Sequence, residues 1–124
     1  MKHPKESCPL TLAVKMISGK WKLFILNGLK SGPKRYGELR KICTNITEKM
    51  LTSQLKELQQ DGIINRKVYP QVPPKVEYSF TEIGEKLCFI FDPLYSWGVE
   101  YIKEVRPEQA HLLANSTTCE IREK

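Results

Sequence analysis

The stretch NITEKMLTSQLKELQQDGII, residues 45–64, decides the fold. Its apolar residues Leu51, Leu55 and Leu58 recur at the spacing of one face of an amphipathic helix rather than of a strand. Thr47 predicts the start of the helix, because its hydroxyl can accept a hydrogen bond from a first-turn amide, and Gly62 predicts the end. We therefore expect a helix whose leucine stripe packs on the core.

The opposite face of this predicted helix is polar and basic. At about 100° per residue, the side chains that point away from the leucines are Lys49, Ser53, Lys56 and Gln60, with Thr52 on the flank. Glu57 lies near the edge of this face. Hydrogen-bonding groups and cations on a rigid helix suit the base edges and phosphates of a DNA major groove. The alternative is an ordinary solvated helix face.

The distribution of charge along the chain favours the DNA-binding interpretation. The formal net charge is +6 at pH 7. Residues 20–75 hold 12 Lys or Arg against 4 Asp or Glu, whereas residues 76–124 hold 5 against 9. A positive segment that contains the basic helix indicates a polyanionic partner, although chance surface charge would give the same count.

Length and cysteine spacing narrow the class of protein. A chain of 124 residues predicts one domain, residues 1–124, with its own core. Cysteines 8, 43, 88 and 119 stand far apart without a histidine cluster, so we predict no metal site, no disulfide scaffold and a reducing cytoplasm. No apolar run reaches the roughly 18 residues of a membrane span, so we predict no membrane association.

The segments around the leucine-striped helix predict a helix-turn-helix followed by a β-hairpin. Residues 34–42, KRYGELRKI, fit a short extended entry and a helix, which gives a helix-turn-helix over about 34–62. After Gly62 the apolar period becomes two, which predicts strands over residues 64–69 and 76–80. The loop between them contains three prolines. A hairpin in this position is a wing, over about 64–80.

Apolar helices are predicted at both ends, over about residues 9–18 and 82–105. Asp92 and Pro93 fit either the start of a second helix or a kink within a continuous one. The C-terminal segment is more apolar and aromatic than the outer helix of a monomer, which predicts a subunit interface. The predicted interface residues are Leu10, Leu94, Tyr95, Trp97 and Tyr101. The fold class is therefore mainly α with a small β-hairpin, a winged helix-turn-helix with N- and C-terminal dimerisation helices.

The sequence offers no arrangement of groups typical of catalysis. Its two histidines, His3 and His111, lie in the terminal segments without a cysteine, serine or aspartate partner at a defensible spacing, and no Gly-rich phosphate loop is present. We predict a protein that is not an enzyme and that needs no cofactor. Trp21, Tyr95 and Trp97 fit either core packing or the lining of a small-molecule pocket, and no effector follows from the sequence.

Placed in order, these segments resemble the HxlR-type winged-helix transcriptional regulators, which are related to the MarR group. The resemblance spans about residues 8–98. It is carried by CPL at 8–10, GKWK at 19–22, KRYGELRK at 34–41, ITEKMLTSQLKELQQDGII at 46–64, VYPQVPPKVEYSFTEIG at 68–84 and WG at 97–98. It implies a homodimer that binds operator DNA. Cys8 stands where some members carry a redox-sensing cysteine, and a structural or silent cysteine is the alternative.

A two-fold dimer predicts a roughly palindromic operator on double-stranded DNA, with one predicted helix in each of two successive major grooves. We expect Arg35 and Arg40 to contact the phosphate backbone of the DNA. We expect the wing to lie beside the same backbone, positioned by Arg66 and Lys75. The predicted DNA-binding residues are Arg35, Arg40, Thr47, Lys49, Thr52, Ser53, Lys56, Arg66 and Lys75. The alternative function is a winged-helix protein-interaction module, which would not need the basic face.

Overall fold

A computed structural model of the protein describes residues 8–111, so Cys119 and the rest of the C-terminal segment lie outside the described residues. The helices are α1 (Pro9–Ile17), α2 (Lys22–Gly28), α3 (Tyr36–Ile42), α4 (Glu48–Gln60), α5 (Glu82–Glu85) and α6 (Cys88–Val105). The strands are β1 (Lys34–Arg35), β2 (Ile64–Tyr69) and β3 (Lys75–Phe80). Two 3-10 turns, Leu29–Ser31 and Pro107–Gln109, follow α2 and α6.

Helix α4 begins and ends where the sequence predicts. The Thr47 hydroxyl accepts a hydrogen bond from the Met50 amide at 3.0 Å, which satisfies one of the unpaired amides of the first turn. At the other end Gly62 adopts φ +78°, and its amide donates to the Gln59 carbonyl at 3.0 Å. The Ile63 amide donates to the Leu58 carbonyl at 3.0 Å, which completes a Schellman motif.

The leucine stripe of α4 forms the centre of the hydrophobic core. Leu51, Leu55 and Leu58 are at most 1% exposed. They belong to one cluster with buried residues of α2, α3, the sheet, α6 and the connecting segments: Ile25, Leu26, Leu29, Leu39, Cys43, Ile46, Ile63, Ile64, Tyr78 and Phe91. Each buried leucine contributes about 1.5–3 kcal/mol relative to exposure. The same packing fixes the direction of the opposite face of α4, which points to solvent.

The predicted hairpin is part of a three-stranded antiparallel sheet with the order β1-β3-β2. The predicted extended entry before α3 supplies β1, which pairs with the free edge of β3. Strand β3 begins at Lys75, so this lysine lies in the sheet and not in the proline-rich loop. Because side chains alternate across a strand, this register decides which basic residues share a face.

The predicted C-terminal helix divides into α5 and α6, with Lys86 and Leu87 between them. Thr81 caps α5 by accepting a hydrogen bond from the Gly84 amide at 3.0 Å. The interpretation of Asp92 as a second N-cap is wrong, because α6 runs continuously through Pro93. Instead the Asp92 carboxylate forms an ion pair with Lys30 at 3.0 Å. The alternative prediction, a continuous helix that contains the proline, agrees with the structure.

Helices α1 and α6 leave much of their apolar surface uncovered. No residue of α1 is buried, and Leu10 is 72% exposed. On α6, Phe89 is 79% and Trp97 is 59% exposed, although Trp97 stacks on Tyr101 with ring centroids 5.4 Å apart. Trp21, in contrast, packs against Phe24 beside the core. Within residues 8–111 no helix combines the length and the apolar character needed to cross a membrane.

Candidate functional site

The solvent face of α4 is a shallow groove lined by polar and basic side chains. Lys49, Ser53, Lys56 and Gln60 are all exposed along it. This is the arrangement that the sequence predicts, and it follows from the burial of the leucines on the other side of the helix. The groove therefore offers cations, a hydroxyl and an amide on a rigid element.

A cleft of about 630 Å³ separates α4 from the wing. Thr52 and Lys56 line it from α4, and Arg66 lines it from β2. Tyr36, Leu55, Gln59, Gln60, Val76 and Tyr78 complete the lining. The structure thus brings together three residues that were predicted from separate segments, and two of them are cations. A cleft with cations on both sides and hydroxyl and amide donors between them can accommodate an anionic backbone.

Tyr36 is a residue of this cleft that the sequence reasoning missed. Its hydroxyl donates to the Glu48 carbonyl at 3.2 Å and lies 3.4 Å from the Thr52 hydroxyl oxygen. The ring therefore connects the start of α3 to the first turns of α4. The sequence contains no local signal for this contact, because it depends on the angle between the two helices.

The two basic residues predicted for the wing lie on opposite faces of the sheet. Arg66 pairs with Tyr78 on the face that turns towards α4. Lys75 is on the other face, because it lies two residues before Glu77, which pairs with both Lys67 and Arg35. The nine predicted DNA-binding residues therefore do not form one continuous surface.

The outer face of the sheet carries a network centred on Glu77. The Tyr69 hydroxyl donates to Glu77 Oε1 at 3.0 Å, and Lys75 Nζ lies 3.4 Å from Glu77 Oε2. Lys75 and Lys67 also lie over the Tyr69 ring, with Nζ 4.6 and 4.9 Å from its centroid. The Tyr69 hydrogen bond and the Lys75 ammonium lower the pKa of Glu77. Lys75 is consequently engaged within the protein in this state.

Two more predicted residues have structural contacts at the start of α4. Arg40 forms an ion pair with Glu48 at 3.2 Å and donates to the Ile46 carbonyl at 3.3 Å. The Thr47 hydroxyl serves as the helix cap. These contacts set the position of the first turn of α4, and the Arg40 side chain stays partly exposed.

The described cysteines differ in environment. Cys8 is exposed at the start of α1, where hydrogen bonds from the Thr11 amide, then from the Thr11 side chain and the Leu10 amide, lower the pKa of its thiol. Burial raises the pKa of Cys43 to about 11 and also raises the pKa of Cys88. Across residues 8–111, His, Cys, Asp and Glu side chains form no group of three or more that could hold a metal ion.

Residues 16–106 match the HxlR-like helix-turn-helix family. The chain is 46% identical over 116 residues to the HTH-type transcriptional regulator YtcD of Bacillus subtilis, covering 94% of this chain and 92% of YtcD. The redox regulator HypR in its reduced form superposes with a TM-score of 0.73 and 46% identity, over 81% of this chain and 98% of HypR. The oxidised form of HypR gives a TM-score of 0.68 with 49% identity, over 73% of this chain and 94% of that chain. These relatives are named as regulators and not as enzymes, and the winged helix-turn-helix fold predicted from the sequence is confirmed.

Proposed function

The chain belongs to the HxlR-like helix-turn-helix family of transcriptional regulators, and we propose that it acts as a homodimer that binds a roughly palindromic operator in double-stranded DNA. The observation that carries the proposal is the pair of faces of α4. One face is anchored in the core by leucines that are at most 1% exposed, and the other holds Lys49, Ser53 and Lys56 in solvent. A helix fixed in this way presents its donors without further ordering.

Helix α4 enters the major groove in this proposal. Lysine and serine side chains there meet phosphates and base edges, since the major groove distinguishes all four base pairs by their donors and acceptors. The cleft between α4 and the wing then receives the adjacent phosphate backbone, between Lys56 on one side and Arg66 on the other. Arg35, Arg40 and Lys75 contribute at the margins of the site, and Lys75 must exchange its Glu77 partner for a phosphate.

The dimer in this proposal forms through α1 and α6. Exposed apolar side chains such as Leu10, Phe89 and Trp97 would cost less free energy between two subunits than in water. Tyr101, which stacks on Trp97, extends the same helix face with an amphipathic ring of the kind enriched at interfaces. The predicted interface residue Tyr95 lies on the side of α6 that carries the buried Phe91 and is only partly exposed. A two-fold axis presents the two α4 helices to half-sites one turn apart, about 34 Å or 10 bp, or a small multiple of this spacing.

The proposal is tested by selecting bound fragments from a pool of random DNA duplexes at about 0.15 M salt, together with sedimentation of the free protein. We expect an enriched inverted repeat and a dimer mass. Arg66→Ala and Lys56→Ala should weaken binding to all sequences, whereas Lys103→Ala on α6 should leave it unchanged. The absence of saturable binding to any duplex would instead favour the protein-interaction module.

We further propose that oxidation of Cys8 controls this binding in the cytoplasm. Cys8 is exposed and the pKa of its thiol is lowered, which favours the reactive thiolate. Attack of the thiolate on hydrogen peroxide displaces hydroxide and leaves a sulfenic acid at Cys8. Repeating the duplex binding after peroxide treatment tests this control. If the oxidised Cys8→Ser protein still loses DNA binding as the parent does, Cys8 is not the controlling group.

A further inference from the structure

The one charged side chain that is buried within residues 8–111 is Lys22, on α2. It is 7% exposed and lies beside core residues such as Ile25 and Leu26. Its Nζ lies 2.7 Å from Glu57 Oε1 on α4. Because removing an ammonium group from water is unfavourable unless it is paired, the geometry needs a partner at this position. The buried Lys22 ammonium group is thus paired with the Glu57 carboxylate of α4.

Glu57 lies at the edge of the solvent face of α4. It is four residues after Ser53 and three before Gln60, so these side chains are neighbours on the helix surface. Its side chain is 50% exposed and lines the same shallow groove as Lys49 and Lys56. This edge is separate from the cleft towards the wing, which Thr52 and Arg66 line. Glu57 therefore belongs to the surface that the proposed function turns towards DNA.

A carboxylate on a phosphate-binding surface repels DNA unless its charge is balanced. Lys22 balances it from below, without itself occupying the groove. Lys22 engages Oε1 of the Glu57 carboxylate, so that Oε2 can accept another hydrogen bond. An ionised carboxylate can only accept, and the base-edge donor that it typically meets in the major groove is the exocyclic amino group of cytosine, N4.

We propose that Glu57 is a specificity-determining residue that accepts a hydrogen bond from the N4 amino group of a cytosine in each half-site, and that Lys22 is its positioning residue. This inference rests on the proposed DNA-binding function. It assigns the discrimination of one base to the only acidic residue in the second half of α4, whereas any contact of the neighbouring lysines with phosphates carries little sequence information.

The competing role is a purely structural tie between α2 and α4. A tie of that kind stabilises the fold but makes no distinction between DNA sequences. Glu57→Gln separates the two roles, because the amide oxygen still accepts from Lys22 while the amide nitrogen can now donate to a base. Glutamine pairs with adenine N6 and N7 in the major groove. Glu82→Gln, which removes the same charge at the exposed start of α5, is the matched control.

The experiment repeats the selection from random duplexes with the full chain, Glu57→Gln and Glu82→Gln. The unchanged protein should select cytosine at one position of each half-site. We expect Glu57→Gln, and not Glu82→Gln, to lose this preference or to select adenine there. All other positions should be unchanged. In the operator selected by the unchanged protein, replacement of that cytosine by thymine should weaken binding of this protein about 10-fold, the typical effect of one mismatched base pair. The same replacement should have little effect on Glu57→Gln, so that the two changes are coupled.

Selection of the same sequences with the same strength by Glu57→Gln overturns the inference, while the proposed DNA binding stands. No selection by the unchanged protein overturns the proposed function, and the inference with it. Lys22→Met gives a second test through the unpaired carboxylate. Lys22→Met should bind all duplexes more weakly and should select cytosine less strongly. A folded Lys22→Met protein with unchanged binding and unchanged preference would show that Lys22 does not position Glu57.

Discussion

The middle of the chain, from α2 to β3, and its two end helices differ in how far their apolar side chains are buried. The end helices are α1 and α6. In the middle the leucine stripe of α4 is buried, down to 0% exposure for Leu51 and Leu58. At the ends many apolar side chains are exposed, no residue of α1 is buried, and α6 buries only Phe91 among its eighteen residues. The middle of the chain thus supplies most of the core, and the ends add Phe91 and a few partly buried residues such as Met16 and Ile17.

In the proposed dimer, this difference assigns folding mainly to the middle of the chain and assembly to its ends. The basic charge lies in the middle segment, so the solvent face of α4 is formed within one chain before any pairing. In that dimer the apolar ends set the distance between two such faces. Substitutions in the middle should therefore change stability or DNA contact, and substitutions at the ends should change association.

The largest effect is expected in the middle. Leu55→Ala removes a side chain that is 1% exposed and leaves a cavity in the core, so it should lower the free energy of unfolding by about 3 kcal/mol. Leu94→Ala is the matched change at the end, where the side chain is 50% exposed. Denaturant unfolding at several protein concentrations should show a concentration-independent loss for Leu55→Ala and a concentration-dependent loss for Leu94→Ala. If the loss of stability depended on protein concentration in the same way for both variants, the ends would not differ from the middle in their role.

Thiol reactivity should follow the same division. At pH 7 a pKa of about 11 leaves Cys43 almost wholly protonated, and burial hinders access to it. The pKa of Cys8 is lowered from its ordinary value by hydrogen bonds from Thr11 and Leu10, so a larger fraction of its thiol than of the Cys43 thiol is ionised. Iodoacetamide labelling followed peptide by peptide should therefore modify Cys8 well before Cys43, with the Cys8 rate levelling off at a lower pH. Comparable rates in the folded protein would show that Cys43 is not held in the core.

The features that the sequence predicted are those set by neighbours along the chain. The leucine stripe, the Thr47 cap and the Gly62 stop depend on residues within four positions of each other, and all three are confirmed. The N-cap interpretation of Asp92 failed because a local signal was overridden by a distant one. Its carboxylate meets Lys30, 62 residues earlier in the chain, and the helix had already begun at Cys88.

The candidate site was harder to predict because it depends on strand register and helix packing. Arg66 and Lys75 both looked like basic wing residues, yet pairing across three strands sends their side chains to opposite faces. Glu57 was visible as an acid at the edge of α4, but its buried partner Lys22 lies on another helix. No periodicity in the sequence reports a contact between residues 22 and 57. Residue types on α4 were predictable, and their partners were not.

A smaller effect is expected for association through the ends. Trp97→Ala removes an aromatic ring that is 59% exposed. If this ring is central to the proposed dimer interface, its loss should cost about 2 kcal/mol, or roughly 30-fold in the dissociation constant. Sedimentation should show weaker dimers while circular dichroism stays unchanged. Glu82→Ala is the control. A dimer of unchanged strength would move the interface away from this part of α6.

The smallest effect concerns a single cation of the middle segment. Lys56 lines both the solvent groove of α4 and the cleft towards the wing, so in the proposed complex it meets a phosphate in each subunit. Each phosphate contact adds about 0.9 to the slope of log Kobs against log salt. Lys56→Ala should therefore reduce the slope of the dimer by about 1.8 and weaken all sequences alike.

Lys103→Ala removes the same charge from the exposed surface of α6 and separates a local contact from a general effect of net charge. Its slope should match that of the unchanged protein, since the end of the chain holds no phosphate in this arrangement. If both variants reduced the slope of log Kobs against log salt equally, the attraction to DNA would depend on the total charge of the protein. The lysines of the middle segment would then have no special role in binding phosphates. A changed base preference in Lys56→Ala alone would instead reassign Lys56 from the phosphates to a base edge.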